Sequence, residues 1–132
     1  MINFGEKYIY DALNVLEVNE TIDKYNNAPA IFFDSMLPSG LTPESKTINY
    51  YMYVPQNLAS EYEKYSYAIH CRAKTFNEAV IIANAVVNAI NRLNYDNELS
   101  ITCKTLPCQS PADERDNYLV PIEAVLKIKS EF

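Results

Sequence analysis

Hydrophobic and polar positions alternate most regularly from Tyr65 to Lys74, where Tyr65, Tyr67, Ile69, Cys71 and Ala73 share one parity and Ser66, Ala68, His70, Arg72 and Lys74 the other. Successive side chains on a strand point to opposite faces, so this segment predicts a half-buried strand. Thr75-Phe76-Asn77-Glu78 follows at once and has the form of a capping box, in which the Thr75 hydroxyl accepts from the Glu78 amide while the Glu78 carboxylate reaches back to Thr75. A helix is therefore expected from Thr75 through Leu93. Its polar residues, Asn77, Asn84, Asn88 and Asn91, form a narrow stripe. Phe76, Ala79, Val80, Ile82, Ala83, Val86, Val87, Ile90 and Leu93 cover most of the remaining circumference, which implies burial on more than one side.

The same reading gives the other elements. Phe4, Ile9, Leu13 and Leu16, widened by Tyr8, Ala12 and Val15, predict one amphipathic helix from Phe4 to Val18, with Asn3 as N-cap and Glu6 three residues on. Ala30-Ile31-Phe32-Phe33 and Ile48 to Val54 read as strands, the second ending at Pro55. Between them Ser35 to Lys46, with Pro38, Gly40 and Pro43, is expected to be an extended hairpin loop. Leu99 to Leu106 alternates as a further strand, and Pro107 to Asn117 is a polar loop. In the last strand, Tyr118 to Ser130, Pro121 predicts an edge position or a bulge, and Lys127 and Lys129 would keep that edge from pairing with strangers. Helix, two strands, strand, helix, two strands make an α+β domain: an antiparallel or mixed sheet of four to five strands with two main helices packed on it.

Composition narrows the class. At 132 residues and 48% hydrophobic content the chain suits one core, so residues 1–132 are expected to form a single domain. No apolar run is long enough for a membrane-spanning helix, and the N-terminus lacks the features of a secretory signal. Asn19-Glu20-Thr21, though it matches a glycosylation acceptor, is then read as a chance match. Cys71, Cys103 and Cys108 are expected to be reduced thiols in or near the core. A net charge of −6 disfavours tight nucleic-acid binding, which rests on Lys and Arg displacing counterions from phosphates. Eleven tyrosines without a tryptophan lean toward assembly, because tyrosine suits surfaces that are apolar in body and wet at the tip.

Chemistry is thinly represented. Two glycines, Gly5 and Gly40, cannot form a glycine-rich phosphate cradle. His70 is the sole histidine, and Cys71 beside it must face the other way on a strand, so a thiol–imidazole pair would need Cys103 or Cys108. Cys103-x4-Cys108 with Cys71 or His70 could be written as a zinc set, but without a second paired knuckle, and structural cysteines explain it better. Asp113, Glu114 and Asp116 lack the spacing and glycine of a calcium loop. The expectation is a protein without catalytic residues, metal or cofactor, and a small enzyme or metal module using His70 and Cys103/Cys108 is the alternative.

The order of elements resembles the tail-terminator or tail-completion proteins of long-tailed bacteriophages. The N-terminal helix, the strand pair with its long Pro/Gly loop, the strand Tyr65 to Lys74 running into Thr75-Phe-Asn-Glu-Ala-Val-Ile-Ile-Ala83, and the final strand pair carry that resemblance over nearly the whole chain. It implies a structural virion protein that forms a ring, expected to be hexameric, caps the tail tube and joins it to the head-side connector. It implies as partners further copies of the chain, the tail tube protein, the connector proteins and genomic DNA passing through the lumen, with assembly in the host cytoplasm and a final place in the virion neck. A head-completion or minor capsid protein is the structural alternative. The family has no catalytic residues to carry over. Ring closure needs complementary head-to-tail surfaces, for which the candidates are Tyr50, Tyr51 and Tyr53 on the tyrosine-rich strand and Met36, Leu37 and Leu41 in the long loop. A lumen lined by carboxylates would repel phosphate and let DNA slide.

Overall fold

The computed structural model describes residues 6–33, 45–56, 62–93, 99–105 and 118–129. Two short helices, α1 (Glu6–Leu13) and α2 (Leu16–Asn19), lead into a small ribbon of β1 (Lys24–Tyr25) and β2 (Ala28–Pro29). The main sheet follows from β3 (Ile31–Phe33), β4 (Thr47–Gln56), β5 (Tyr62–Ala73), β6 (Leu99–Thr105) and β7 (Tyr118–Lys129), with the long helix α3 (Phe76–Arg92) between β5 and β6. The sheet order is β3-β4-β5-β7-β6, parallel at β3–β4 and antiparallel elsewhere. It is the mixed sheet of an α+β fold.

The alternation in β5 selects the face that α3 covers. Tyr65, Tyr67, Ile69, Cys71 and Ala73 are buried, in register with Ile48 and Tyr50 of β4 and with Val120, Ile122, Ala124 and Leu126 of β7. Against them α3 sets Ala79, Ile82, Ala83, Val86, Ala89 and Ile90. Alanine at three of these positions lets the helix approach the sheet closely, and each fully buried aliphatic side chain contributes about 1.5–3 kcal/mol relative to exposure. The helix starts where its cap predicts: the Thr75 hydroxyl accepts from the Glu78 amide at 3.2 Å and donates to the Glu78 carboxylate at 2.8 Å. That carboxylate also pairs with Lys46 at 3.2 Å. Lys46 in turn exchanges hydrogen bonds with Asp23, its backbone N–H donating to the Asp23 carboxylate and its carbonyl accepting from the Asp23 N–H, each at 2.9 Å. One chain of polar contacts thus ties the ribbon, the approach to β4 and the start of α3.

Three expectations are corrected. The N-terminal helix is not continuous: Val15 is extended (φ −127°, ψ 157°) and separates α1 from α2. Asn14 and β-branched Val15 are weak helix formers, and the Asn14 side-chain oxygen accepts from the Asn19 amide across the break at 2.9 Å. The break buries Val18 and leaves Leu16 exposed. The segment from Ala30–Phe33 to Ile48–Val54 is not a hairpin, because β3 and β4 run parallel and pair Ile31 with Ile48 and Phe33 with Tyr50. A parallel pair needs a crossover connection in place of a tight turn. Finally, β7 is an interior strand between β5 and β6, so Lys127 and Lys129 guard no edge. Pro121 lies opposite His70 of β5, and the described β6–β7 pairs run from Leu99–Ile128 to Thr105–Ile122.

Candidate assembly surfaces

The residues with chemical potential are divided by the sheet. Cys71 lies in the core under α3, and burial pushes its thiol well above the ordinary range, with Cys103 adding to the effect. Cys103 is half-buried on β6 and packs against the same core, its Sγ 3.9 Å from Asn91 Oδ1 on α3. Burial pushes that thiol up to about 11, so neither cysteine is poised as a nucleophile at neutral pH. His70 stands on the opposite face of β5, edge-on to Tyr51 with ring centroids 5.3 Å apart. Its Nδ1 is buried without a hydrogen-bond partner. Burial, and secondarily the charge of Arg72, lower its pKa to about 4 and hold the ring neutral. Among the described residues no three His, Cys, Asp or Glu side chains gather as a metal set, and Cys108 lies outside them. A shallow depression of about 250 Å³ between β6 and β7 is lined by Thr102, Cys103, Glu123 and Val125.

The tyrosine-rich strand divides in the same way. Tyr50 is wholly buried on the helix-covered face, between Phe33 at 5.3 Å and Tyr67 at 6.4 Å between ring centroids. It has no side-chain surface to offer a neighbouring subunit and is a core residue. Tyr51 faces the other way, half-buried against His70. The side chain of Tyr53, at the bulge in the β4–β5 register between Met52 and Val54, and the loop residues Met36, Leu37 and Leu41 lie outside the described residues.

Among the described residues, exposed large apolar side chains fall mainly on the helical layer. Tyr8, Leu16, Ile81 and Leu93 are exposed there, and Phe33 on the edge strand β3. Ile81 is 50% exposed on the stripe that also holds Asn77, Asn84, Asn88 and Asn91. The periodicity already carried this signal, since a residue four beyond Asn77 and three before Asn84 lies on their face. The expectation that α3 is covered on more than one side holds, with the sheet on one and α1 and α2 on another. Glu17 of α2 is ion-paired with Arg92 at the end of α3.

No family model matches the chain, and no curated protein matches it in sequence. Among solved structures the fold is similar to that of a chain in a structure described as the virion of a native gene transfer agent particle. The two agree with a TM-score of 0.61 over 92% of each chain at 11% identity, a likeness of fold spanning both molecules.

Proposed function

We propose that this chain is a structural protein of a phage-like virion and that it acts as the tail terminator, a ring, expected to be hexameric, that caps the tail tube and joins it to the head-side connector. The observation that carries the reading is the fold shared with a chain of a gene transfer agent virion over 92% of both. Fold alone is shared by proteins of many functions, so the reading also leans on the chemistry of this chain. Its two described thiols, Cys71 and Cys103, are held protonated and His70 lies on the opposite face of the sheet from them, as suits an assembly component. The net charge of −6 suits a neck through which DNA must slide, provided the carboxylates line the lumen.

Electron microscopy of particles assembled without the protein tests the role. Tails of uncontrolled length are expected for a terminator. Tails of normal length detached from filled heads would assign the chain to head completion instead, and intact, infectious particles would overturn a structural role altogether.

A further inference from the structure

Among the described residues the three helices all lie on one face of the main sheet, and the other face has a charge of its own. Strand register and parity set Lys64 and Arg72 of β5, Lys104 of β6, and Lys127 and Lys129 of β7 at positions on that face, with Glu123 as the one acid at a paired position there. Five of the chain's 11 basic residues thus share a face with one of its 17 acids. The rest of a chain of net charge −6 holds the other 16 acids against six bases. The register also sets Lys64 directly opposite Lys127. Like charges so opposed cost stability within one chain, and a carboxylate brought up to the pair offsets that cost.

The acidic counterpart lies on the helical layer. From Glu6 to Asp23 the chain has five acids and one base, Lys7, and of these acids Asp11, Glu20 and Asp23 are exposed. Leu16 stands among them, 74% exposed and four residues before Glu20, a spacing that puts both on one side of α2. The basic face holds the matching shape. In the depression lined by Thr102, Cys103, Glu123 and Val125, Val125 comes two residues before Lys127 on the same side of β7. Two residues along a strand span about 7 Å and four along a helix about 6 Å, so a leucine seated in the depression brings the glutamate that follows it to the lysine. We infer that the basic sheet face receives the α1–α2 surface of a second copy, with Leu16 in the depression and Glu20 at the Lys64–Lys127 pair. Two basic faces repel one another, and so do two acidic ones, so the charges select a head-to-tail contact over a two-fold one. Contacts of that kind close rings, and this one is argued from the chain alone, without its place in a virion. Covered in this way, the basic face is also kept from a DNA channel, where it would hold phosphate.

Sedimentation velocity of the purified chain over a range of concentrations reads the association. Wild type is expected to self-associate as concentration rises, and the association to weaken as NaCl goes from about 0.05 to 0.5 M. Glu20→Lys and Lys127→Glu are each expected to raise the dissociation constant by roughly tenfold or more. An equimolar mixture of the two variants is expected to restore assembly, because every contact between unlike variants again sets a lysine against a glutamate; restoration also shows that both variants are folded. Leu16→Ser is expected to weaken the contact at low and high salt alike. A wild type monomeric at all concentrations, an oligomer indifferent to salt and to both reversals, or a mixture that stays dissociated would each overturn the pairing. A monomeric wild type that binds a labelled DNA duplex, with binding lost in Lys127→Glu, would assign the face to nucleic acid and overturn it likewise. Particles lacking the protein test the terminator role separately, and that role survives a failure here.

Discussion

At the scale of single residues, two neighbours on one strand have opposite fates because strand parity separates them. Tyr50 is fully buried among Phe33 and Tyr67, and Tyr51 sits half-buried on the other face against His70. Removing a buried aromatic ring forfeits its transfer energy and leaves a cavity, so Tyr50→Ala is expected to cost about 3–5 kcal/mol in urea unfolding. Tyr51→Ala, with less area to lose, is expected to cost about 1 kcal/mol. His70 gives a pH signature. Its ordinary value of 6.5 falls to about 4 in the folded chain, so between those limits the unfolded chain binds a proton that the folded chain does not. The stabilisation is fully present above about 6.5 and declines as pH falls toward 4. In wild type, but not in His70→Gln, unfolding measured between pH 7 and pH 4.5 is expected to show this additional decline; identical slopes would remove His70 as its source.

At the scale of elements, local chemistry accounts for most boundaries. Thr75 and Glu78 start α3 where a capping box predicts, and loss of the cap in Thr75→Ala is expected to cost about 1 kcal/mol in thermal or urea unfolding. Asn26 and Asn27 both have positive φ, 52° and 66°, in the two-residue connection of the β1–β2 ribbon. That geometry is a type I′ turn, for which Asn-Gly is the favoured pair. Two-residue strands leave no alternation to read, so the sequence signals the ribbon through its consecutive asparagines. Elements with long periodic patterns, β5 and α3, were legible in the sequence, although β5 begins at Tyr62, three residues before its alternation becomes regular. Those decided by partners were less so. The parallel β3–β4 pair depends on how the chain returns to the sheet, which no local pattern encodes, although Ile-x-aromatic recurs in the same direction at Ile31–Phe33 and Ile48–Tyr50. The interior position of β7 was hidden by Pro121, a residue whose usual place is an edge. Val15 broke the first helix where apolar spacing alone continued through it.

At the scale of the whole molecule, the sheet separates the groups that chemistry would need together and presents surfaces suited to contact. His70 and the two described thiols lie on opposite faces, and the main helix shows solvent an uncharged stripe of asparagines with Ile81 among them. The asparagines mark that stripe as polar and the spacing of Ile81 from Asn77 and Asn84 adds it to the same face, but of the tyrosines proposed for contacts the sequence could not tell Tyr50 from Tyr51 without knowing which face α3 covers. The measurement that bears most directly on a virion role is location in assembled particles. Purified particles from the system that encodes this chain, labelled with gold-conjugated antibody and viewed by electron microscopy, are expected to carry it at the junction of head and tail in a small fixed copy number. Its absence from purified particles, or label spread evenly over the head, would contradict that role.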